Sequence, residues 1–281
     1  MNAARLIARL DTKPQARRTA RRTPWGEILG SAVVLLLAVL FVNSLANNPR
    51  LHWSVVGEYM FSSTIVEGVL VTIELSIGCM ILAILVGLAS ALMGQSHSLV
   101  LVVLSKLYVW IFRGTPVLVQ LIFWYNIALL FPTLSLGPLG SWSMNELVSP
   151  TTAAVVGLTL AEGAYMSEII RAGLLSVDPG QVEAAQSLGM TRRSTLRRVT
   201  LPQAVRVIIP PTGNEFITML KGTSLVAVIS VHDLLFSAQS VYNTNYEVAA
   251  LLIVASCWYL AMTSVATIGQ GYVERYFARR M

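Results

Sequence analysis

Six apolar runs alternate with short polar breaks along the chain. They occupy about residues 28–46, 64–93, 98–131, 151–173, 205–229 and 247–270. Apolar residues follow one another without the period-two alternation of a barrel strand. Runs near 20 residues match the hydrocarbon thickness when helical. In lipid the backbone must bond to itself within a helix or a closed barrel. The pattern therefore predicts six helical crossings and an all-α integral membrane protein.

Two runs carry breakers. "RGTP" (Arg113 to Pro116) interrupts the third. Pro116 disfavours helical geometry at the residue before it, and Gly114 loosens the chain. Residues 98–112 are expected as one helix near the cytoplasmic side, and 115–131 as the rest of that crossing. The fifth run holds "PPTGNEFITMLKGTS", where Pro210, Pro211 and Gly213 are expected to interrupt the helix and release carbonyls. The segment 132–150 contains Pro, Gly and Ser and reads as an external loop. The segment from Phe236 to Tyr246 reads as a linker.

One stretch departs from the apolar pattern. "GQVEAAQSLGMTRRSTLRRVTLP" (Gly180 to Pro202) is polar and basic, yet lies between two crossings. Val182, Ala185, Leu188 and Gly189 recur at helical spacing, which predicts a short helix with one apolar face. Gly189 is costly inside a helix unless it ends one. Thr191 is placed to cap a second short helix. The prediction is an elbow of two short helices outside the bilayer, residues 179–202. An interfacial helix held by arginines to lipid heads is the bland alternative. A docking device for a cytoplasmic partner is the sharper one: Glu183 offers charge, Ala184 and Ala185 permit close approach, and Gly189 sets the exit direction.

Composition agrees with a bilayer protein. Hydrophobic residues make up 55% and charged residues only 12% of 281, where soluble proteins are about a quarter charged. Residues 1–27 form a basic tail in which seven Lys and Arg face only Asp11 and Glu27. A solvated tail and a helix on anionic lipid both fit it; nucleic-acid binding does not suit its place beside a membrane segment. The run 28–46 is longer than a signal-peptide core and is expected as a retained anchor. Arg192, Arg193, Arg197, Arg198, Arg275, Arg279 and Arg280 fall on the same side as the tail in a six-span arrangement. The loop 132–150 has no Lys or Arg. The positive-inside tendency thus places both termini in the cytoplasm, with Arg50 the one exception. Cys79 and Cys257 lie in apolar runs and frame no disulfide or zinc site, and His52, His97 and His232 form no metal-ligand spacing.

Ionisable residues within spans are functional candidates because burying them unpaired is expensive. Glu74, Lys106, Arg113, Glu162, Glu168, Arg171, Glu215 and Lys221 qualify. Glu168 and Arg171, three residues apart on one helix, are expected to pair. Glu162 sits near the middle of its span between Ala161 and Gly163. Two readings stand for it: attraction of a cationic substrate group, or an internal ion pair with Lys221 or another helix. Asn214, Glu215, Lys221 and Thr223 are further candidates for lining a pathway.

The spacing Glu183-Ala184-Ala185, three residues, Gly189, nine residues, Val199, one residue, Leu201-Pro202 resembles the "EAA" motif of ABC importer permeases. Val199 stands where that pattern usually has Ile. "FRGTPVLVQLIFWY", "AYMSEIIRAG", "SVDPGQVEAAQSLGM" and "LKGTSLVAVISVHDLL" further resemble the polar amino-acid branch, which includes histidine, arginine and glutamine permeases. The resemblance covers about 64–275, leaving the 28–46 helix as an addition. It implies a type I importer permease fold and a translocation pathway shared with a second permease subunit, identical or paralogous. It also implies two copies of a cytoplasmic ATPase, each receiving an elbow through Glu183, Ala184, Ala185, Gly189, Val199, Leu201 and Pro202, and an extracytoplasmic solute-binding protein. The chain has no phosphate-binding "GxxxxGK[ST]" loop. ATP and magnesium are accordingly expected on the partner ATPase, and this chain is expected to be neither an enzyme nor a cofactor carrier. A bacterial inner-membrane location follows from the same resemblance. An ion channel and a non-transport assembly or receptor subunit are the rival classes. No filter-like ring of charges or carbonyls favours the first.

Overall fold

The computed structural model describes residues 25–135, 137 and 140–278. Most of the basic tail, together with Arg279 and Arg280, lies outside the described residues. The chain divides into two compact units, with the boundary after Leu51. The first contains helix α1 (Trp25–Ala46), 22 residues of mean hydropathy 2.5 over its most apolar window. Its apolar side chains run all the way round the helix, as in a membrane-spanning helix.

The second unit is a helical bundle. Its elements are α2 (Trp53–Tyr59), α3 (Ser63–Gly94), α4 (Leu99–Gly114) and α5 (Val117–Tyr125). A small antiparallel hairpin follows, with β1 (Thr133–Ser135) paired to β2 (Ser141–Ser143). Next come α6 (Met144–Leu147), α7 (Pro150–Leu175), α8 (Pro179–Ser187), α9 (Arg192–Thr195), α10 (Leu201–Gly222), α11 (Leu234–Asn245) and α12 (Val248–Ala278). Among the described residues four helices are long and apolar enough to cross a membrane, or six if each of two bent helix pairs is one span. The six-run reading of the sequence matches the upper figure.

Helix α7 is the centre. It packs against α3, α4, α5 and α10. Ser149 caps its start by accepting from the Thr152 N–H at 3.1 Å, with Pro150 at the first helical position. Glycines allow the close approach. A Cβ on Gly87 of α3 would stand 2.8 Å from the Ser167 nitrogen and 2.9 Å from the Gly163 oxygen, both backbone atoms of α7. Leu75, Cys79, Leu121, Leu158, Met219 and Val226 fill one part of the core. Ile65, Val69, Leu234, Leu251 and Val254 fill another.

The third run bends more sharply than a loosened helix. α4 and α5 meet at 104° across Thr115-Pro116. Gln120 closes the break: its amide nitrogen donates to the Phe112 and Thr115 carbonyls at 3.0 and 3.1 Å and lies 2.8 Å from Thr115 Oγ1. In lipid those carbonyls need such a donor.

Two expectations are corrected. Helix α10 continues through Pro210, Pro211 and Gly213 to Gly222, and the tighter 3₁₀ segment comes later, at Thr223–Ile229. Consecutive prolines remove two adjacent donors from one side of the helix, while Thr212 Oγ1 bonds the Ile208 carbonyl at 2.8 Å and the packing against α7 and α12 holds the rod. The supposed linker after Phe236 is helix α11, capped by Asp233, whose carboxylate accepts from the Phe236 N–H at 2.9 Å. Its polar composition concealed a buried face of Leu234, Ser237 and Ala238.

Candidate functional site

Two regions carry the chemistry. The first is the elbow. Asp178 caps α8 by accepting from the Gly180 N–H at 2.9 Å, with Pro179 at its first position. The helix ends where Gly189 adopts φ +79. There the Gly189 N–H donates to the Gln186 carbonyl at 2.9 Å and the Met190 N–H to the Ala185 carbonyl at 3.1 Å. This left-handed glycine cap satisfies carbonyls that the helix end would otherwise leave open. Thr191 then caps α9, accepting from the Ser194 N–H at 3.3 Å. A π-helical turn (Leu196–Thr200) runs from α9 directly into α10. Gln203 ties the two limbs by donating to the Gln181 side chain at 2.7 Å.

Within the elbow Ala185 is buried, Glu183 and Ala184 are exposed, and Val199 is half-buried. Leu201 and Pro202 are exposed at the start of α10. Leu188 does not join Val182 and Ala185 on a shared buried face. It is 85% exposed, at the C-cap directly before the glycine reversal. An apolar residue directly before a capping glycine was the signal for this exposed tip.

The second region lies halfway along α7. Glu162 is 9% exposed, and its Oε1 has no hydrogen-bond partner. Glu215 of α10 is its neighbour, within hydrogen-bonding and electrostatic reach. Tyr108 of α4 donates to the Leu160 carbonyl at 2.7 Å and packs over Gly163. Neither carboxyl forms an ion pair with Lys221 among the described residues; Lys221 is exposed near the end of α10. Asn214 turns the other way, where its Oδ1 accepts from Gln270 of α12 at 2.8 Å. Thr223 is fully buried, donating to the Leu220 carbonyl at 2.9 Å. The structure thus joins Glu162 with Glu215 and separates them from Asn214, Lys221 and Thr223. The Glu168–Arg171 pair forms, with the closest contact at 2.6 Å.

Two acidic groups stand side by side within the bundle, with no ion pair to either among the described residues. A dozen residues beyond, α7 leads into a built elbow that returns as α10. Residues 80–279 match the family model for binding-protein-dependent transport system inner membrane components. This chain belongs to that family. It is a permease subunit of an ABC transporter, an integral membrane protein with the type I importer fold. The arginine transport system permease protein of Corynebacterium glutamicum is 40% identical over 90% of this chain and 81% of its own length. The L-cystine transport system permease protein of Bacillus subtilis is 36% identical over 85% and 98%. A crystal structure of an amino acid ABC transporter with histidines matches with a TM-score of 0.67 at 35% identity, covering 76% of this chain and 94% of that one.

Proposed function

We propose that this permease imports polar amino acids from outside the inner membrane, and that basic amino acids are the substrates its pathway favours. The observation that carries the second part is the Glu162–Glu215 pair. An amino or guanidinium group entering there meets two carboxyls that form no ion pair among the described residues. A buried acidic group in a span is stabilised by such a visitor. The relatives named for arginine and cystine support the wider amino-acid class.

Coupling follows the chain. The elbow docks in one of two cytoplasmic ATPase subunits, and that of the second permease subunit in the other, through Glu183, Ala184, Gly189 and the projecting Leu188, while Ala185 holds the fold behind them. ATP and magnesium reside on those subunits. From Arg192 the backbone is helical through the π turn to Gly222. A push on the elbow therefore travels along one rod to Glu215, which faces Glu162. Val199, Leu201 and Pro202 stand at the joint. A second permease subunit, identical or paralogous, completes the pathway, and an extracytoplasmic solute-binding protein delivers the substrate. Lys221, Thr223 and Asn214 serve the walls or the packing of α10 rather than the acidic point. Both termini face the cytoplasm.

The test is uptake by the reconstituted complex across a panel of basic, neutral and acidic amino acids, together with substrate-stimulated ATP hydrolysis. Preferred uptake of arginine, lysine or histidine is expected. Transport of no amino acid by a folded, ATP-hydrolysing complex would overturn the reading. Topology is checked by cysteine labelling after Cys257→Ser: Ser141→Cys should react from outside and Ser187→Cys from inside. Reaction of both from inside would reject the orientation.

A further inference from the structure

A second polar region lies apart from the acidic point, where α3 and α7 end toward the elbow. A cleft of about 510 Å³ opens there between α4 and α7. Its polar lining includes Gln95, Lys106, Glu168 and Arg171, and Trp110 forms a wall. Ser105 and Ser167 form the floor. Ser167 Oγ donates to Ser90 Oγ at 2.9 Å, and Ser105 Oγ donates to the Ser90 carbonyl at 2.7 Å. These buried hydroxyls lock the ends of α3, α4 and α7 together, so the cleft has a rigid base.

The charges are unequal. Lys106 and Arg171 face only Glu168 in the lining. Arg171 commits Nε and Nη2 to Glu168, which leaves Nη1 for another acceptor. Arg113 also lies within electrostatic reach of Glu168 and stacks 5.0 Å over the Tyr165 ring. Lys106 is exposed and makes no ion pair among the described residues. The neighbourhood is net positive. Beside it, Leu99, Val103, Leu107 and Trp110 form an exposed apolar strip along α4. Leu175 is exposed at the cleft itself. A cationic notch next to an exposed tryptophan has the chemistry of a bilayer interface.

We propose that this cleft binds the phosphodiester headgroup of an anionic phospholipid from the leaflet on the elbow side. Lys106 and the open edge of Arg171 meet the phosphate, and Gln95 offers its amide to the same group. Trp110, one turn beyond Lys106 on the side away from the elbow, packs along the upper acyl chain. Basic pockets between membrane helices bind acidic headgroups in this way. The site draws on charge complementarity and on the exposed Trp110 beside it, and it is independent of which solute the permease carries.

The full chain, purified in detergent, is examined by native mass spectrometry with phosphatidylglycerol or phosphatidylcholine of identical acyl chains. Wild type should retain phosphatidylglycerol about five-fold over phosphatidylcholine. Lys106→Gln should erase that preference, and Lys106→Arg should keep it, which separates loss of charge from loss of fold. Brominated phosphatidylglycerol should quench a fluorescence component that disappears in Trp110→Phe. An unchanged preference in Lys106→Gln and in the double variant with Arg171→Gln would overturn the site. So would displacement of the lipid by millimolar glycerol phosphate, which would assign the cleft to a soluble phosphate. Loss of the preference when wild type is bound to its second permease subunit would assign the cleft to that subunit instead.

Discussion

The elbow and the middle of α7 are built by opposite means. In the elbow each turn is fixed by residues a few positions away: Asp178 to Gly180, Met190 to Ala185, and Ser194 to Thr191. Most of its side chains are exposed. At Glu162 nothing local fixes the geometry. The site exists because α3, α4 and α10 close on α7 through glycines and small residues. A locally built device tolerates substitution in its fold while its partner contacts remain sensitive. A tertiary device fails by losing its shape. Six substitutions test that contrast.

Gly87→Ala should have the largest effect on the protein itself. Its Cβ would meet the backbone of α7 at Ser167 and Gly163, and backbone cannot move aside as a flexible side chain does. Overpacking of this kind costs about 1–3 kcal/mol. A markedly lower melting temperature and reduced yield in detergent are expected. An unchanged melting temperature would show that α3 and α7 have room to part at Gly87.

At the elbow the effect should fall on coupling. Glu183→Arg and Gly189→Asp should leave the permease folded in the membrane and reduce substrate-stimulated ATP hydrolysis by about thirty-fold or more, as expected for reversed charge at a buried contact. Around Gly189 there is open space, and Asp tolerates left-handed backbone better than most residues. Gly189→Asn, which keeps that tolerance without charge, should be much milder. Co-purification with the ATPase and the hydrolysis assay measure both. Wild-type values for Glu183→Arg would remove the docking role.

Glu162→Gln comes next. It keeps size and hydrogen bonding but removes the charge. The half-saturation concentration for basic amino acids should rise on the order of ten-fold, the scale of a lost charged hydrogen bond, while neutral ones change little. Equal losses across the panel with a lowered melting temperature would reduce the residue to a structural part. Thr191→Ala should have the smallest effect. It removes one cap and should cost about 0.5–1 kcal/mol of local helix stability, seen as faster hydrogen exchange over α9 with the rest of the bundle unchanged.

The sequence by itself determined the long apolar helices, the break at Arg113–Pro116, the elbow with its Gly189 stop and Thr191 cap, and the Glu168–Arg171 pair. Each depends on hydropathy or on contacts within a few residues, and such information is written contiguously. Only the tertiary structure decided the rest. It kept α10 intact through Pro210 and Pro211, because neighbouring helices hold a rod whose own ladder is weakened. It made α11 a helix, because Leu234 and Ala238 find a buried face that their polar neighbours hide. It set Glu215, not Lys221, beside Glu162. Both residues lie on α10 six positions apart, and six positions is far from a whole number of helical turns, so they point in different directions. Which of them meets α7 is fixed by how two helices distant in sequence rotate against each other, and that rotation is settled by packing.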